Sequence, residues 1–181
     1  TDKIGLVGAA VSDLPGLGDL CKAAEKTAAL VSFSSLRADA LDQDLISHLA
    51  KSKVKTATIA PDAGSERLRR CINKGISEKD ILTATEMLVT HGIPNLKLYF
   101  MIGLPTETMQ DIEAIIKLCK KVKHVFLQSS RPKRRMGEIS VSINAFVPKP
   151  HTPFQWAAMD DTRTLRLKQK HIQKALKQVP N

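Results

Sequence analysis

The stretch that decides the fold is residues 97–113, which read KLYFMIGLPTETMQDIE. An apolar run ends at Gly103, and Pro105 follows two residues later. Gly103 permits backbone conformations closed to other residues and a close approach of a ligand, while Pro105 prevents the strand from continuing. The pattern predicts a buried strand that turns sharply into a helix. Because ligands of parallel α/β folds bind at the carboxyl ends of the strands, the turn is also a candidate site.

The rest of the chain alternates apolar runs with helical patterns. The predicted strands cover residues 4–10, 30–35, 55–60, 96–102 and 139–147. The predicted helices cover residues 19–30, 39–52, 66–73, 77–92, 109–122 and 162–179, with a basic linker over roughly 128–138. This alternation predicts an α/β fold with a parallel sheet and right-handed crossovers. Periodicity alone leaves open whether the sheet is doubly wound or curls toward a barrel.

The composition is that of one globular domain without a membrane span. Of the 181 residues 43% are apolar, and no apolar run approaches the ~20 residues that a membrane span needs. No Gly-x-Gly-x-x-Gly motif follows the first predicted strand and no loop ends in Gly-Lys-Ser/Thr, which argues against dinucleotide-binding and P-loop folds. Cys21, Cys71 and Cys119 lack the spacing of a metal motif and predict reduced, partly buried thiols in a cytoplasmic protein.

Positive charge is concentrated in the last third of the chain. Residues 1–119 carry 14 Lys/Arg and 15 Asp/Glu, whereas residues 120–181 carry 14 Lys/Arg and three Asp/Glu. A block without acidic residues in this part contains the candidate nucleic-acid contacts Arg131, Lys133, Arg134 and Arg135. Such a block attracts phosphate groups whatever the base sequence. The alternative is a solvated loop and helix face.

Chemically useful side chains stand where the predicted strands end. The candidates are Ser12 after the first strand, Ser34 and Arg37 after the second, Asp62 and Ser65 after the third, Gly103 after the fourth, and Phe146 and Val147 at the end of the fifth. Because parallel strands end at one edge of a sheet, these groups would surround a single cleft. The combination suits a zwitterionic ligand with a ribose and an aromatic base, since carboxylates hold amino and hydroxyl groups and a guanidinium holds a carboxylate.

Several of these residues also have a structural alternative. Asp62 and Ser65 are residue types that cap helices, and a predicted helix follows them. Arg37 could pair with Asp39 or Asp42. The placement of the whole set after successive strands favours binding over the structural alternatives.

Four segments in a fixed order resemble one enzyme family. They are VSFSSLR at 31–37, APDAGSERLRRCINKG at 60–75, MIGLPTET at 101–108 and FVPKPHTPF at 146–154. Together they resemble the radical S-adenosylmethionine (radical SAM) enzymes, in particular the group that contains tRNA methylthiotransferases and B12-dependent radical enzymes. That family usually has Glu- or Gln-Ser-Gly-Ser where this chain has DAGS, and Gly-Phe-Pro-Gly-Glu-Thr where it has GLPTET.

The resemblance implies a partial, TIM-like (β/α)6 barrel. The family binds a four-iron four-sulfur (4Fe-4S) cluster through Cys-x3-Cys-x2-Cys after its first strand, and this sequence has no such motif. The first strand here is similar to the family's second. We therefore expect a C-terminal fragment with about five parallel strands, in which residues 1–159 form a truncated core barrel and residues 160–181 a basic helix. The edge left by the missing strand would favour self-association.

The resemblance also implies a function. The whole enzyme would be an iron–sulfur oxidoreductase that binds S-adenosylmethionine and cleaves it to a 5′-deoxyadenosyl radical, while the fragment alone would be inactive. The implied contacts are Ser34 and Arg37 with the methionine or ribose, Asp62 and Ser65 with the ribose or backbone, and Phe146 and Val147 with the adenine. Glu107 is expected to shape the turn. The alternatives are a non-catalytic, basic α/β module that binds nucleic acid, such as RNA, and a different barrel enzyme.

Overall fold

The chain folds into alternating strands and helices, as predicted. The computed structural model describes residues 3–8, 11, 14–130 and 137–179. Its strands are β1 (Lys3–Leu6), β2 (Leu30–Phe33), β3 (Thr56–Asp62), β4 (Asn95–Ile102) and β5 (Ile139–Ala145). Its helices are α1 (Leu17–Lys26), α2 (Gln43–Lys51), α3 (Glu66–Cys71), α4 (Glu78–Thr90), α5 (Met109–Ser130) and α6 (Thr162–Lys177), with a short 3₁₀ helix at Ala38–Ala40.

The strand order decides between the two kinds of parallel sheet. Strands β1 and β2 form one parallel pair, and β3, β4 and β5 form a parallel three-stranded sheet in that order. A parallel bridge between Leu36 and Ile59 joins the two, and the Leu36 N–H donates to the carbonyl oxygen of Thr58 at 2.8 Å. In a doubly wound sheet the strand order reverses at one point, whereas here the order from β1 to β5 does not reverse. The fold is therefore α/β with parallel strands in barrel order.

Two elements differ in length from the prediction. Helix α5 continues to Ser130, eight residues past the predicted end, because Val122, Phe126 and Ser130 are buried at helical spacing while polar residues such as Lys123 and Gln128 lie between them. The predicted linker therefore begins inside a helix. Strand β1 ends at Leu6, short of the predicted end at residue 10, because its pairing with the four-residue β2 runs from Lys3 to Leu6.

The main core lies between the β3–β5 sheet and the helices. Residues of β4 alternate in burial, so that Leu96, Leu98, Phe100 and Ile102 are buried against α4 and α5. We call this side of the sheet the outer face. The opposite side, the inner face, carries half-buried residues at the alternate positions of all three strands: Thr58, Lys97, Tyr99, Ser140 and Ser142.

Short polar contacts fix the connections around β3. The Leu68 N–H donates to Ser65 Oγ at 3.1 Å, so Ser65 caps α3. Gly64 lies so close to α5 that an added Cβ would stand 2.2 Å from the backbone nitrogen of Ile115. The loop that follows β3 is therefore held against α5, which sets the position of the strand's carboxyl end.

Helix α6 packs back onto the core. Its Ile172 is fully buried in the main cluster, and Leu165 and Leu176 pack against the same cluster. The division between residues 159 and 160 stays a prediction. Over the described ranges of the chain, no helix is long and apolar enough to cross a membrane.

Candidate functional site

The parallel strands bring several candidate residues to one edge of the fold, which we call the carboxyl edge. Ser34 follows β2, Asp62 ends β3, Gly103 follows β4, and Phe146 follows β5. Two groups of candidates lie outside the described residues: Ser12, and the basic residues Arg131, Lys133, Arg134 and Arg135. Their proposed contacts stay predictions.

A buried carboxylate joins the loops after β3 and β4. Asp111 accepts hydrogen bonds from Ser65 Oγ and Arg67 Nη2, both at 2.5 Å, and from the backbone N–H and hydroxyl of Thr108, both at 2.8 Å. Burial opposes ionisation of this side chain, but the hydrogen bonds outweigh it and lower the pKa of Asp111 to about 2. The cluster thus ties α3 to α5 behind the carboxyl edge.

A buried arginine and an ion pair hold the end of β3. Asp62 has a φ of 63°, and its carboxylate lies 2.7 Å from Lys74 Nζ. Arg69 is 1% exposed, and its Nη1 donates to the carbonyl oxygens of Ala63 and Gly64 at 3.0 and 2.9 Å. The loop backbone at Asp62 is therefore fixed from beneath by side chains of α3 and the segment after it.

The turn after β4 is closed by α6. Gly103 has a φ of 78°, and its N–H donates to Glu107 Oε1 at 2.8 Å, so Glu107 shapes the turn as expected. Lys168 Nζ contacts carboxylate oxygens of Glu107 and Asp160, both at 2.6 Å. Burial by itself would lower the pKa of Lys168, but the contacts with Asp160 and Glu107 outweigh burial, so the pKa is raised above its ordinary value. An added Cβ at Gly103 would stand 2.9 Å from Leu165, so the close neighbour of this glycine within the protein is α6.

The loop after β2 shows one of the two structural alternatives for its arginine. Arg37 Nε and Nη2 donate to the carboxylate of Asp39 at 3.1 and 2.6 Å. The side chain of Ser34 is exposed, and its N–H donates to the carbonyl oxygen of Leu6 at 3.1 Å. The loop thus presents the exposed hydroxyl group of Ser34 and an arginine that is already in an ion pair.

The two apolar candidates after β5 differ in exposure. Phe146 is buried with Leu68 and Leu104, and its ring meets that of Phe154 edge to face with a centroid distance of 6.1 Å. Val147 is 54% exposed. Phe146 therefore supports the carboxyl edge from inside, while Val147 is free to cover a ligand.

The cysteines lie on three different helices. Cys21 is buried in α1 and Cys119 in α5, whereas Cys71 is exposed at the end of α3, contrary to the expectation that all three are partly buried. Burial raises the pKa of Cys119 to about 12. Among the residues that the structure describes, no group of three or more His, Cys, Asp or Glu side chains could hold a metal ion.

The sequence did not reveal the inner face as a polar surface. Thr58, Lys97 and Ser140 are register partners across β3, β4 and β5, and Tyr99 pairs with Ser142 one step further along. Lys97 Nζ lies 4.9 Å from the centroid of the Tyr99 ring. Burial alternates from residue to residue along β4, and this alternation would have revealed the inner face. In the sequence it is hidden by the continuous apolar run from Leu98 to Ile102.

Comparisons with known proteins agree on one superfamily. The family model described as the Radical SAM superfamily matches residues 1–119. An uncharacterized protein of Methanocaldococcus jannaschii is 42% identical over 176 residues, which are 97% of this chain and 36% of that protein. A tRNA-2-methylthio-N(6)-dimethylallyladenosine synthase of a Sulfurihydrogenibium species is 32% identical over 100 residues, which are 51% of this chain and 23% of the synthase.

A solved structure has a similar fold. It is the coproporphyrinogen III oxidase of Escherichia coli, described as a radical SAM enzyme, with a TM-score of 0.68 and 16% sequence identity. The match covers 98% of this chain and 40% of the oxidase. This likeness confirms the predicted TIM-like barrel fragment. The chain spans about a third of the length of the M. jannaschii relative.

Proposed function

The chain belongs to the radical SAM superfamily, and we propose that it forms the cofactor-binding part of an enzyme that reductively cleaves S-adenosylmethionine. The carboxyl edge carries this proposal, because the loops after β2, β3, β4 and β5 bring hydroxyl, carboxylate, guanidinium and apolar groups to one side of the fold. These groups match the ribose, ammonium, carboxylate and adenine of that cofactor. In the whole enzyme, this cofactor together with a reduced iron–sulfur cluster would supply the radical that starts the reaction.

The contacts fall into two kinds. Ser34 and Arg37 would hold the methionine or ribose, and Val147 would cover the adenine, since Ser34 and Val147 are exposed. Ser65 and Phe146 have side chains already engaged within the protein, so they would act through their backbone and by positioning the loops. Asp62 would face the ribose, and Gly103 would let the β4 turn approach the cofactor.

The residues of this chain do not fit the cluster itself. Its three cysteines lie on separate helices, and no Cys-x3-Cys-x2-Cys motif is present. We infer that the cluster ligands belong to another part of the whole protein, because the chain spans only 36% of the M. jannaschii relative and 40% of the oxidase. The 181-residue chain alone should then neither hold the cluster nor cleave the cofactor.

Metal analysis tests the assignment of the ligands. After anaerobic reconstitution with iron and sulfide, the 181-residue chain should retain neither element in stoichiometric amount. A stoichiometric cluster, seen by iron and sulfide analysis, would contradict the proposal that the ligands lie elsewhere.

Calorimetry tests the binding of the cofactor. We expect S-adenosylmethionine to bind the chain and sugar phosphates to bind it no better than buffer anions. Ser34→Ala and Arg37→Gln should each weaken binding, about tenfold for the loss of a charge-assisted contact. Lys117→Gln, an exposed change on α5, is the matched control and should have no effect. Tight binding of sugar phosphates without cofactor binding would favour a different barrel enzyme.

A second candidate partner is RNA. Helix α6 exposes five basic side chains, and a relative is by its name a tRNA-modifying synthase. The exposed residues are Arg163, Arg166, Lys170, Lys174 and Lys177. We expect salt-dependent binding of tRNA that weakens when Arg131, Lys133, Arg134 and Arg135 become Ala. Binding that is unchanged between low and high salt would argue against this partner.

The cellular location and the self-association that we propose each rest on one feature. The three cysteines are free, which supports a reducing, cytoplasmic location. In the described part of the chain β1 pairs with β2 alone, so its other edge offers unpaired backbone groups for self-association. Sedimentation over a range of concentrations would test the second assignment, and a monomer at all of them would contradict it.

A further inference from the structure

The inner face is a polar surface on a sheet whose other side is closed. On β4, a strand with neighbours on both sides, Leu98 and Phe100 are fully buried, whereas Lys97 and Tyr99 between them are only half-buried. None of the helices that the structure describes therefore covers this side of the sheet as α4 and α5 cover the other. Because its residues are only half-buried, this face keeps part of its polar surface exposed to a small molecule.

Hydrogen-bond donors without a protein acceptor converge on this face. In the described ranges no hydrogen bond or ion pair is formed by Lys97 Nζ, the Tyr99 hydroxyl, or the hydroxyl groups of Thr58 and Ser142. The aligned rows place Thr58 directly beside Lys97, and Ser142 beside Tyr99. Neighbouring strands are about 4.8 Å apart, so Lys97, Tyr99 and Ser142 lie within reach of one small group, while Thr58 lies on the other side of Lys97.

Among the described residues, the ammonium group of Lys97 on this face has no carboxylate partner. The nearest carboxylates along the strands are Glu138, which accepts from Ser140 Oγ at 3.4 Å, and Asp62, which pairs with Lys74. Neither lies within 4 Å of Lys97 among the described residues. Lysine is rarely withdrawn fully from water without a partner, and the contact of the half-buried Lys97 in the described part of the chain is the Tyr99 ring. Donors together with an unpaired ammonium group are complementary to an oxyanion.

The cation–π contact fixes where that oxyanion would bind. Because Lys97 Nζ lies 4.9 Å from the centre of the Tyr99 ring, the ammonium group is held at the level of Tyr99. Tyr99 is four residues before Gly103, or about 13 Å along the strand. A small molecule can span this distance, with one end at the carboxyl edge and its anionic end on Lys97.

We propose that the inner face binds the substrate of the radical reaction and that Lys97, with Tyr99 and Ser142, selects a substrate that carries an oxyanion, either a carboxylate or a phosphate. The proposal rests on the proposed function, because it assumes that the reaction takes place at the carboxyl edge. Lys97 is a specificity residue that acts by contact with the anionic end of the substrate, remote from the reacting atoms.

The test uses the single tyrosine of the chain. Tyr99 is the only tyrosine in the sequence, so labelling with 3-fluorotyrosine gives one fluorine resonance from the inner face. The labelled 181-residue chain is titrated at constant ionic strength with benzoate, phenyl phosphate and the neutral benzyl alcohol. We expect a saturable shift of the resonance with at least one of the two anions, and the preferred anion distinguishes a carboxylate substrate from a phosphate.

Variants separate recognition from structure. Lys97→Gln should weaken the anion response about tenfold or more, Lys97→Arg should keep it within a few-fold, and Lys117→Gln on α5 should leave it unchanged. An equal shift with benzyl alcohol, the absence of a saturable shift with both anions, or an unchanged response in Lys97→Gln would overturn the proposal.

The outcome is distinguishable from that of the proposed function. A chain that binds these anions through Lys97 but gives no heat with S-adenosylmethionine keeps the anion site and loses the cofactor assignment. A chain that binds the cofactor but shows no anion response loses only the inner-face site.

Discussion

The two faces of β4 consist of alternate residues of one strand, and they have opposite properties. On the outer face Leu96, Leu98 and Phe100 are fully buried against helices. On the inner face Lys97 and Tyr99 are half-buried, and none of the described helices covers them. The same strand therefore packs with one face, and in our proposal it recognises a ligand with the other. Substitutions on the outer face should change stability, and those on the inner face should change binding.

The largest expected effect is on the outer face. Phe100→Ala removes a fully buried ring from the main core and should lower the free energy of unfolding by about 4 kcal/mol, because the cavity cannot collapse completely. Tyr99→Ala, one residue away on the inner face, is the matched control and should cost about 1 kcal/mol. Urea denaturation measures both. Equal losses would mean that the two faces do not differ as described.

The second largest loss of stability is expected where α6 closes the turn after β4. Lys168→Met leaves Glu107, whose side chain is 1% exposed, without its ammonium partner. We expect a loss of about 3 kcal/mol in the free energy of unfolding, since a buried charge is left uncompensated. Lys170→Met, on the exposed side of the same helix, should cost less than about 0.5 kcal/mol. If both variants unfold at the same urea concentration, α6 does not fix the turn.

Asp111 behind the carboxyl edge should give a smaller, pH-dependent effect. Its pKa is lowered from 3.8 to about 2, which corresponds to about 2 kcal/mol of stability. A lowered pKa stabilises the fold above pH 3.8, and this stability is lost as the pH falls toward 2. Asp111→Asn should therefore cost about 2 kcal/mol at pH 6 and less at pH 3.

The control for this pH dependence is Asp44→Asn, which removes an exposed carboxylate from the first turn of α2. Its effect should be about 0.5 kcal/mol or less at pH 6. Stability curves in urea at both pH values compare the two variants. A cost of Asp111→Asn that stays constant from pH 6 to pH 3 would contradict the lowered pKa.

Local signals in the sequence located the strands and helices, but neither all of their ends nor the contacts between them. The strand and turn at Gly103 and Pro105, and the cap at Ser65, follow from neighbouring residue types. The pairs Arg67–Asp111 and Glu107–Lys168 join residues 44 and 61 positions apart, and no spacing rule predicts them. The sequence therefore predicted which loops form the carboxyl edge, but not how their side chains are held.

The inner face was missed for a different reason. Leu98, Tyr99, Phe100 and Met101 all count as apolar in a simple pattern, so the run looks buried on both sides, as parallel strands usually are. Only the register with β5 shows that Tyr99 and Lys97 share a side with serines. The prediction placed the candidate site in the loops at the carboxyl edge. The hydrogen-bond donors that lack a protein acceptor among the described residues lie instead in the middle of the strands.

The smallest expected effect is also the sharpest test of the difference between the outer and inner faces of β4. Lys97→Gln removes the charge of the inner face but leaves no cavity in the core, because the lysine has neither an ion pair nor a helix above it among the described residues. The cation–π contact with Tyr99 is worth about 0.5–1 kcal/mol at a partly exposed site, and relief of an unpaired charge offsets part of it. The free energy of unfolding should therefore change by less than about 0.5 kcal/mol, close to that of the exposed change Lys117→Gln. A loss of several kcal/mol in urea would show that Lys97 supports the fold, and the inner face would then be a second packing surface.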